Sequence, residues 1–139
     1  MLEGVTAVIL AGGLGSRLLD AWQGPKILMP LGNGLRFIDY LVNEVVSFGV
    51  REIVFCLGYK ANEVVQYLET RDYDTICEFK FVIEEYPLGT GGAVNNALRY
   101  IGTSHILALN GDTYYIDSSS IRPVGVLEEN KGVIFVARV

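Results

Sequence analysis

Three glycines in four positions, Gly12, Gly13 and Gly15, lie within the segment Leu10-Ala11-Gly12-Gly13-Leu14-Gly15-Ser16-Arg17-Leu18. Bare Cα atoms let a sharply turning backbone aim amide N–H groups at phosphate oxygens, so the segment reads as an anion seat. A glycine-rich turn alone is equally a tight strand-to-loop bend. Arg17, two residues after Gly15, and Lys26, directly after Pro25, add two fixed cations to the seat and make the combination far more specific. A dinucleotide-binding fingerprint is excluded, because Gly13-Leu14-Gly15-Ser16-Arg17 is followed by Leu18 rather than glycine, and the second strand leads into Leu57-Gly58-Tyr59 with no acidic residue at its end. A Walker A loop is excluded because the chain has no Gly-Lys pair.

The elements that must hold these residues follow from the hydrophobic pattern. Val5 to Ala11 is a short apolar run ending in Gly-Gly, apolar on both faces, as expected of a central parallel strand. Ile38, Leu41, Val42, Val45 and Phe48 recur at helical spacing, with Gly49 as the C-terminal cap. Val50 to Leu57 then predicts a second strand, Ala61 to Leu68 a short helix, Glu78 to Ile83 a third strand, Gly92 to Ile101 a helix ending at Gly102, and His105 to Leu109 a fourth strand. The alternation predicts an α/β fold: a three-layer α/β/α sandwich around a mostly parallel, Rossmann-like sheet. Ligands of such sheets sit outside the carboxyl ends of the strands, where the strand order reverses. Gly12 to Lys26 and Asn110 to Asp112 both follow such ends and fall on one rim.

Composition narrows the partners. Half of the 139 residues are apolar, enough for one domain with a real core. With 16 acidic and 11 basic side chains, a net charge of −5 and no Lys/Arg cluster, nucleic acid is a poor partner; a polyphosphate would need a divalent metal and locally placed cations. No apolar run is long enough to span a bilayer and the N-terminus lacks signal-peptide features, so a cytoplasmic location and no membrane partner are expected. Cys56 and Cys77 read as buried small hydrophobes, and the single histidine, His105, as a surface or capping residue. Gly132 to Val139 predicts a fifth strand with no helix to cover it, from which truncation and a possible homo-oligomer through the open strand are expected.

Leu-Ala-Gly-Gly-x-Gly-Ser-Arg-Leu with a later Pro-Lys resembles the signature of the nucleoside-diphosphate-sugar pyrophosphorylases, the sugar-1-phosphate nucleotidyltransferases. Glu84-Glu85-Tyr86-Pro87-Leu88-Gly89-Thr90-Gly91-Gly92-Ala93 resembles the family's base-recognition segment, and Leu109-Asn110-Gly111-Asp112-Thr113 its metal-binding turn. The wording looks most like the heptose-1-phosphate and mannose-1-phosphate guanylyltransferases. The resemblance implies transfer of a nucleotidyl group from a nucleoside triphosphate to a sugar 1-phosphate, with release of pyrophosphate. It implies that Arg17 clamps the triphosphate, that Lys26 bridges the α-phosphate and the sugar phosphate, and that Asp112 holds Mg²⁺. Leu10, Ala11, Gly12, Gly13, Gly15, Ser16, Glu84, Pro87 and Gly89 would line the nucleotide. A Glu84 carboxylate accepts from the ring N–H and exocyclic amine of guanine, a donor pair that uracil and thymine lack, which favours GTP; Glu85 is the alternative reader.

The pattern also departs from the family. Ser16 stands where many relatives carry Thr, Trp22-Gln23-Gly24 replaces a Thr-rich approach, and the spacing from Arg17 to Lys26 is about one residue short, which predicts displacement of Lys26. The family's sugar-pocket segments and second metal-binding aspartate have no counterpart before Val139. Residues 1–139 therefore read as the nucleotide-binding part of a larger domain, and a binding module without turnover is the alternative to an enzyme. A glycosyltransferase would need an Asp-x-Asp motif, which Asp112-Thr113-Tyr114 does not supply.

Overall fold

Four apolar segments pair side by side as a parallel sheet, and the helices between them supply the crossovers that parallel pairing requires. The computed structural model describes residues 2–14, 22–73 and 76–113. In chain order it contains β1 (Val5–Ala11), a 3-10 turn (Lys26–Leu28), a hairpin of β2 (Pro30–Gly32) and β3 (Leu35–Arg36), and α1 (Phe37–Ser47). There follow β4 (Glu52–Leu57), α2 (Ala61–Glu69), β5 (Glu78–Ile83), α3 (Gly89–Ala97) running into a second 3-10 turn (Leu98–Tyr100), and β6 (His105–Asn110). The strand order is β5-β4-β1-β6 and all three pairings are parallel. The expected strand from Gly132 to Val139 lies outside the described residues.

Burial explains the order. Thr6 to Ile9 of β1 and Ile53 to Leu57 of β4 are fully buried, the mark of strands covered on both faces, whereas β5 begins and ends exposed. One face of the sheet, with Ala7, Ile9, Ile53, Phe55, Leu57 and Leu109, packs against Ile38, Leu41, Val42 and Val45 of α1 and Val64 and Leu68 of α2. The other, with Val8, Val54, Cys56 and Val82, packs against Ala93 and Ala97 of α3. Each buried Val, Leu or Ile contributes about 1.5–3 kcal/mol, so helical stripes and strands hold one another in place. This is the expected three-layer sandwich. Among the described residues no helix is long and apolar enough to cross a membrane.

Three features differ from the pattern-based expectation. The second strand begins at Glu52, two residues after Val50, although Val50 is itself buried. Helix α3 begins at Gly89, ahead of the expected Gly92, because burial of Ala93 and Ala97 against the sheet overrides the poor helix propensity of the glycines between. The β2–β3 hairpin was not anticipated; its turn is Asn33-Gly34, both at positive φ (51° and 75°), the pairing that tight hairpins favour.

The start of α1 is pinned by a buried acid. Asp39, 1 % exposed, accepts hydrogen bonds from the Arg36 backbone N–H (2.7 Å), the Tyr67 hydroxyl (2.5 Å) and the Tyr73 hydroxyl (3.0 Å), and pairs with Arg71 at 3.3 Å. A buried carboxylate is tolerated only when so fully partnered. Arg71 also donates to the Tyr67 hydroxyl. Burial, then the hydrogen bond and charge of Asp39, push the Tyr73 phenol above its ordinary range.

Candidate active site

The sheet reverses its winding between β1 and β6, since β4 lies on one side of β1 and β6 on the other. At the carboxyl ends of these two strands opens a cleft of about 280 Å³. It brings together Leu10, Ala11, Gly12, Gly13, Lys26, Glu84, Pro87, Gly89 and Asp112, nine of the residues expected to form the site. Gly15, Ser16 and Arg17 lie outside the described residues. Ile27, Thr90, Ala93, Asn110 and Gly111 also line the cleft and were not singled out as site residues. Thr90, Ala93, Asn110 and Gly111 lie inside the quoted motif segments, and Ile27 directly follows Lys26.

Close backbone approach builds the rim. The Gly111 N–H donates to the Leu10 carbonyl (2.8 Å), tying the turn after β6 to the end of β1. A Cβ at Gly58 would stand 2.5 Å from the Gly12 carbonyl oxygen, so only glycine lets the turn after β4 support the glycine loop from beneath.

Lys26 projects into the cleft from a 3-10 turn whose next two residues, Ile27 and Leu28, are buried. Its Nζ stands 3.3 Å from Asp112 Oδ2, so the shortened spacing from Arg17 does not carry Lys26 out of the site. The side chains are 33 % and 53 % exposed. A pair this open contributes about 0–1 kcal/mol and is easily exchanged for other ionic partners.

Glu84 continues the ladder past β5, its N–H donating to the Leu57 carbonyl (2.7 Å), and its side chain turns in beside the glycine loop. A methyl group added at Gly12 would meet Glu84 Oε2 at 3.1 Å. The Leu88 N–H lies 3.4 Å from the same oxygen, a long and weak hydrogen bond. Glu85 is exposed and does not line the cleft, so of the two candidate readers only Glu84 faces it.

The two cysteines and the histidine take no part in the cleft lining. The Cys56 thiol lies under α3, 3.6 Å from the Ala93 carbonyl, and burial followed by the charge of Glu84 pushes it up to about 11. It stays protonated and is no nucleophile at neutral pH. Cys77 is likewise buried and pushed up to about 11. His105 opens β6, with its Nδ1 3.0 Å from the Ser104 hydroxyl, at the strand end away from the cleft.

The donor set suits a hard, substrate-borne cation. Among the described residues no group of three or more His, Cys, Asp and Glu side chains is placed to cage a metal. Asp112 offers one accessible carboxylate on the cleft wall. Mg²⁺ is commonly held by one or two carboxylates with phosphate oxygens and waters completing its shell, and the accessible Asp112 carboxylate fits that mode.

Comparison with known proteins gives the family. Over 118 residues the chain is 33% identical to the D-glycero-alpha-D-manno-heptose 1-phosphate guanylyltransferase of Campylobacter jejuni, an alignment covering 84% of this chain and 52% of that one. It is 32% identical over 110 residues to the mannose-1-phosphate guanylyltransferase of Mycobacterium tuberculosis, covering 78% of this chain and 30% of the relative. The crystal structure of HddC from Yersinia pseudotuberculosis complexed with GMP-PN superimposes with a TM-score of 0.69 at 38% identity, covering 79% of this chain and 48% of that structure. The chain thus spans about half the length, or less, of these relatives. With a family model matching residues 7–138, nearly its whole length, the chain belongs to the family of MobA-like NTP transferase domains.

Proposed function

We propose that this chain forms the nucleotide-binding side of a sugar-1-phosphate guanylyltransferase, which transfers the guanylyl group of GTP to a sugar 1-phosphate. An oxygen of the sugar phosphate attacks the α-phosphorus of GTP in line; the new P–O bond forms as the bond to the β-phosphate breaks, and pyrophosphate leaves with its electrons. The nucleophile is already an anion, so no general base is needed, and catalysis reduces to holding two polyanions together and neutralising the leaving group. The observation that carries the reading is the meeting of Lys26 and Asp112 at 3.3 Å in one cleft with the bare glycine loop and Glu84.

In this reading the Lys26 ammonium bridges the reacting phosphates and Arg17 clamps the departing pyrophosphate. Asp112 would hold Mg²⁺, which supplies charge neutralisation on the phosphate oxygens when bound. Glu84 accepts from the ring N–H and exocyclic amine of guanine, and its position against Gly12 sets the base beside the loop that receives the phosphates. The relatives named for guanylyl transfer to heptose 1-phosphate and mannose 1-phosphate support the same base and substrate class. A cytoplasmic enzyme is the corresponding placement, where nucleoside triphosphates are made.

The test is pyrophosphate release from GTP with heptose 1-phosphate or mannose 1-phosphate in the presence of Mg²⁺. Release that depends on both substrates supports the proposal. Binding of GTP without turnover would favour a nucleotide-binding module instead, and failure to bind any nucleoside triphosphate would reject both.

A further inference from the structure

The segment Trp22-Gln23-Gly24, which departs from the family's usual wording, packs against the turn that carries Lys26. Trp22 Nε1–H donates to the Pro25 carbonyl (2.9 Å). The indole lies so close over Gly24 that a Cβ there would stand 2.6 Å from the ring. At the end of the turn, Arg36 Nη1 donates to the Leu28 carbonyl (2.7 Å). The same guanidinium lies 5.8 Å from the Trp22 ring centroid and 5.2 Å from that of Tyr67. Tyr67 is itself fixed to the buried Asp39, and Arg71 lies over its ring at 4.7 Å. Indole, guanidinium, phenol and guanidinium therefore form an alternating chain from the Lys26 turn to the buried acid beneath α1.

The turn's own bonds are few. Leu28 N–H donates to the Pro25 carbonyl (2.9 Å), Met29 N–H to the Lys26 carbonyl (3.0 Å), and Phe37 N–H to the Met29 carbonyl (2.9 Å). A single 3-10 turn is a weak element by itself. The Trp22 indole bonds to its start, at Pro25, and the Arg36 guanidinium to its end, at Leu28, with Lys26 between the two in sequence. A guanidinium is planar and can stack on two rings while donating in its own plane, which an ammonium cannot do.

We propose that Arg36 is a positioning residue for Lys26, acting with Trp22 as a clamp that fixes the turn so that the lysine ammonium is preorganised in the cleft. The inference rests on the proposed role of Lys26. It requires neither Arg36 nor Trp22 to touch a substrate, and it ties turnover to a stacked guanidinium outside the cleft lining.

The test uses Arg36→Lys and Trp22→Phe in the full-length protein, the second variant keeping an aromatic ring while removing only the donor to Pro25. Misplacing a reacting group by a fraction of an ångström to an ångström costs on the order of tenfold to 100-fold in rate. Each variant is expected to lower kcat on that scale, with KM for the nucleotide changed far less. In a Lys26→Ala background Arg36→Lys should add almost nothing, because no ammonium is left to position. Hydrogen exchange at the Leu28 and Met29 amides should be faster in both variants. Additive losses in the double variant, or a fall in kcat with unchanged exchange at the two amides, would overturn the clamp and leave a merely structural arginine. Unchanged kcat with faster exchange would also overturn it. If the unaltered protein turns over no nucleotide, the proposed function fails, and the exchange comparison still decides whether Arg36 holds the turn: faster exchange in Arg36→Lys supports the clamp and unchanged exchange overturns it.

Discussion

The two ends of the same four strands treat charge in opposite ways. At the amino end, Thr6, fully buried, donates to Glu52 (2.6 Å), Lys80 closes on the other oxygen of Glu52 at 2.6 Å and on the Tyr100 carbonyl at 3.1 Å, and the Thr103 hydroxyl lies within reach of both Thr6 (2.8 Å) and the His105 carbonyl (2.9 Å), with its one proton for either. Each polar group has its partners within the protein. At the carboxyl end, Lys26 and Asp112 meet at a looser 3.3 Å, a third and a half exposed, beside a loop stripped of side chains. A closed network spends its hydrogen-bonding capacity on stability; an open one keeps capacity for a ligand. The strands are one frame with a closed end and an open end.

The difference can be broken in order of size. Lys26→Ala should lower turnover by about 10²- to 10³-fold, the scale for removing one preorganised electrostatic group, while moving the melting temperature little, because the pair is too exposed to stabilise much. Steady-state kinetics beside a melting curve checks both halves. Glu84→Gln should weaken the preference for GTP over other triphosphates by about tenfold to 100-fold, the value of one charge-assisted hydrogen bond, as read from competition between nucleotides.

At the other end the signs exchange. Thr6→Val should cost about 1–3 kcal/mol of stability by stranding an oxygen of Glu52, with turnover unchanged. The smallest effect is a pH dependence. Burial alone would raise the Glu52 carboxyl, but hydrogen bonds from Lys80 and Thr6 and the Lys80 charge outweigh it and hold the group below its ordinary 4.5. A carboxyl lowered in the folded state contributes stability that is complete above the unfolded value and is lost as pH falls through the native one. Melting temperatures should therefore drop on acidification below about pH 4.5, and drop less in Glu52→Gln.

Much of this frame was legible in the chain. The solid apolar runs of β1 and β4 announced interior parallel strands, and the spacing from Ile38 to Phe48 announced α1, capped where Gly49 takes a φ of 94°. The rim followed from where the motifs fell relative to those strands. What stayed hidden was set by tertiary contact. Gly89-Thr90-Gly91 lies ahead of the expected helix and joins it because the alanines after it are buried. The Asn33-Gly34 signal was present, but strands as short as β2 and β3, one opening on Pro30, carry no readable alternation. Glu84 and Glu85 are indistinguishable as letters; chain direction at the end of β5 turns one inward and leaves the other in solvent. The shortened approach to Lys26 suggested displacement, yet the neighbouring Ile27 and Leu28 are anchored in the core and Lys26 lines the cleft. The roles of Gly15, Ser16 and Arg17 rest on sequence alone, since they lie outside the described residues.

The most direct measurement is calorimetric binding of GTP with and without Mg²⁺, to the unaltered protein and to Asp112→Asn. If the open pair is where triphosphate and cation meet, Mg²⁺ should tighten GTP binding in the unaltered protein and this gain should vanish in the variant. An equal gain in both proteins, or no binding of GTP at all, would contradict the account.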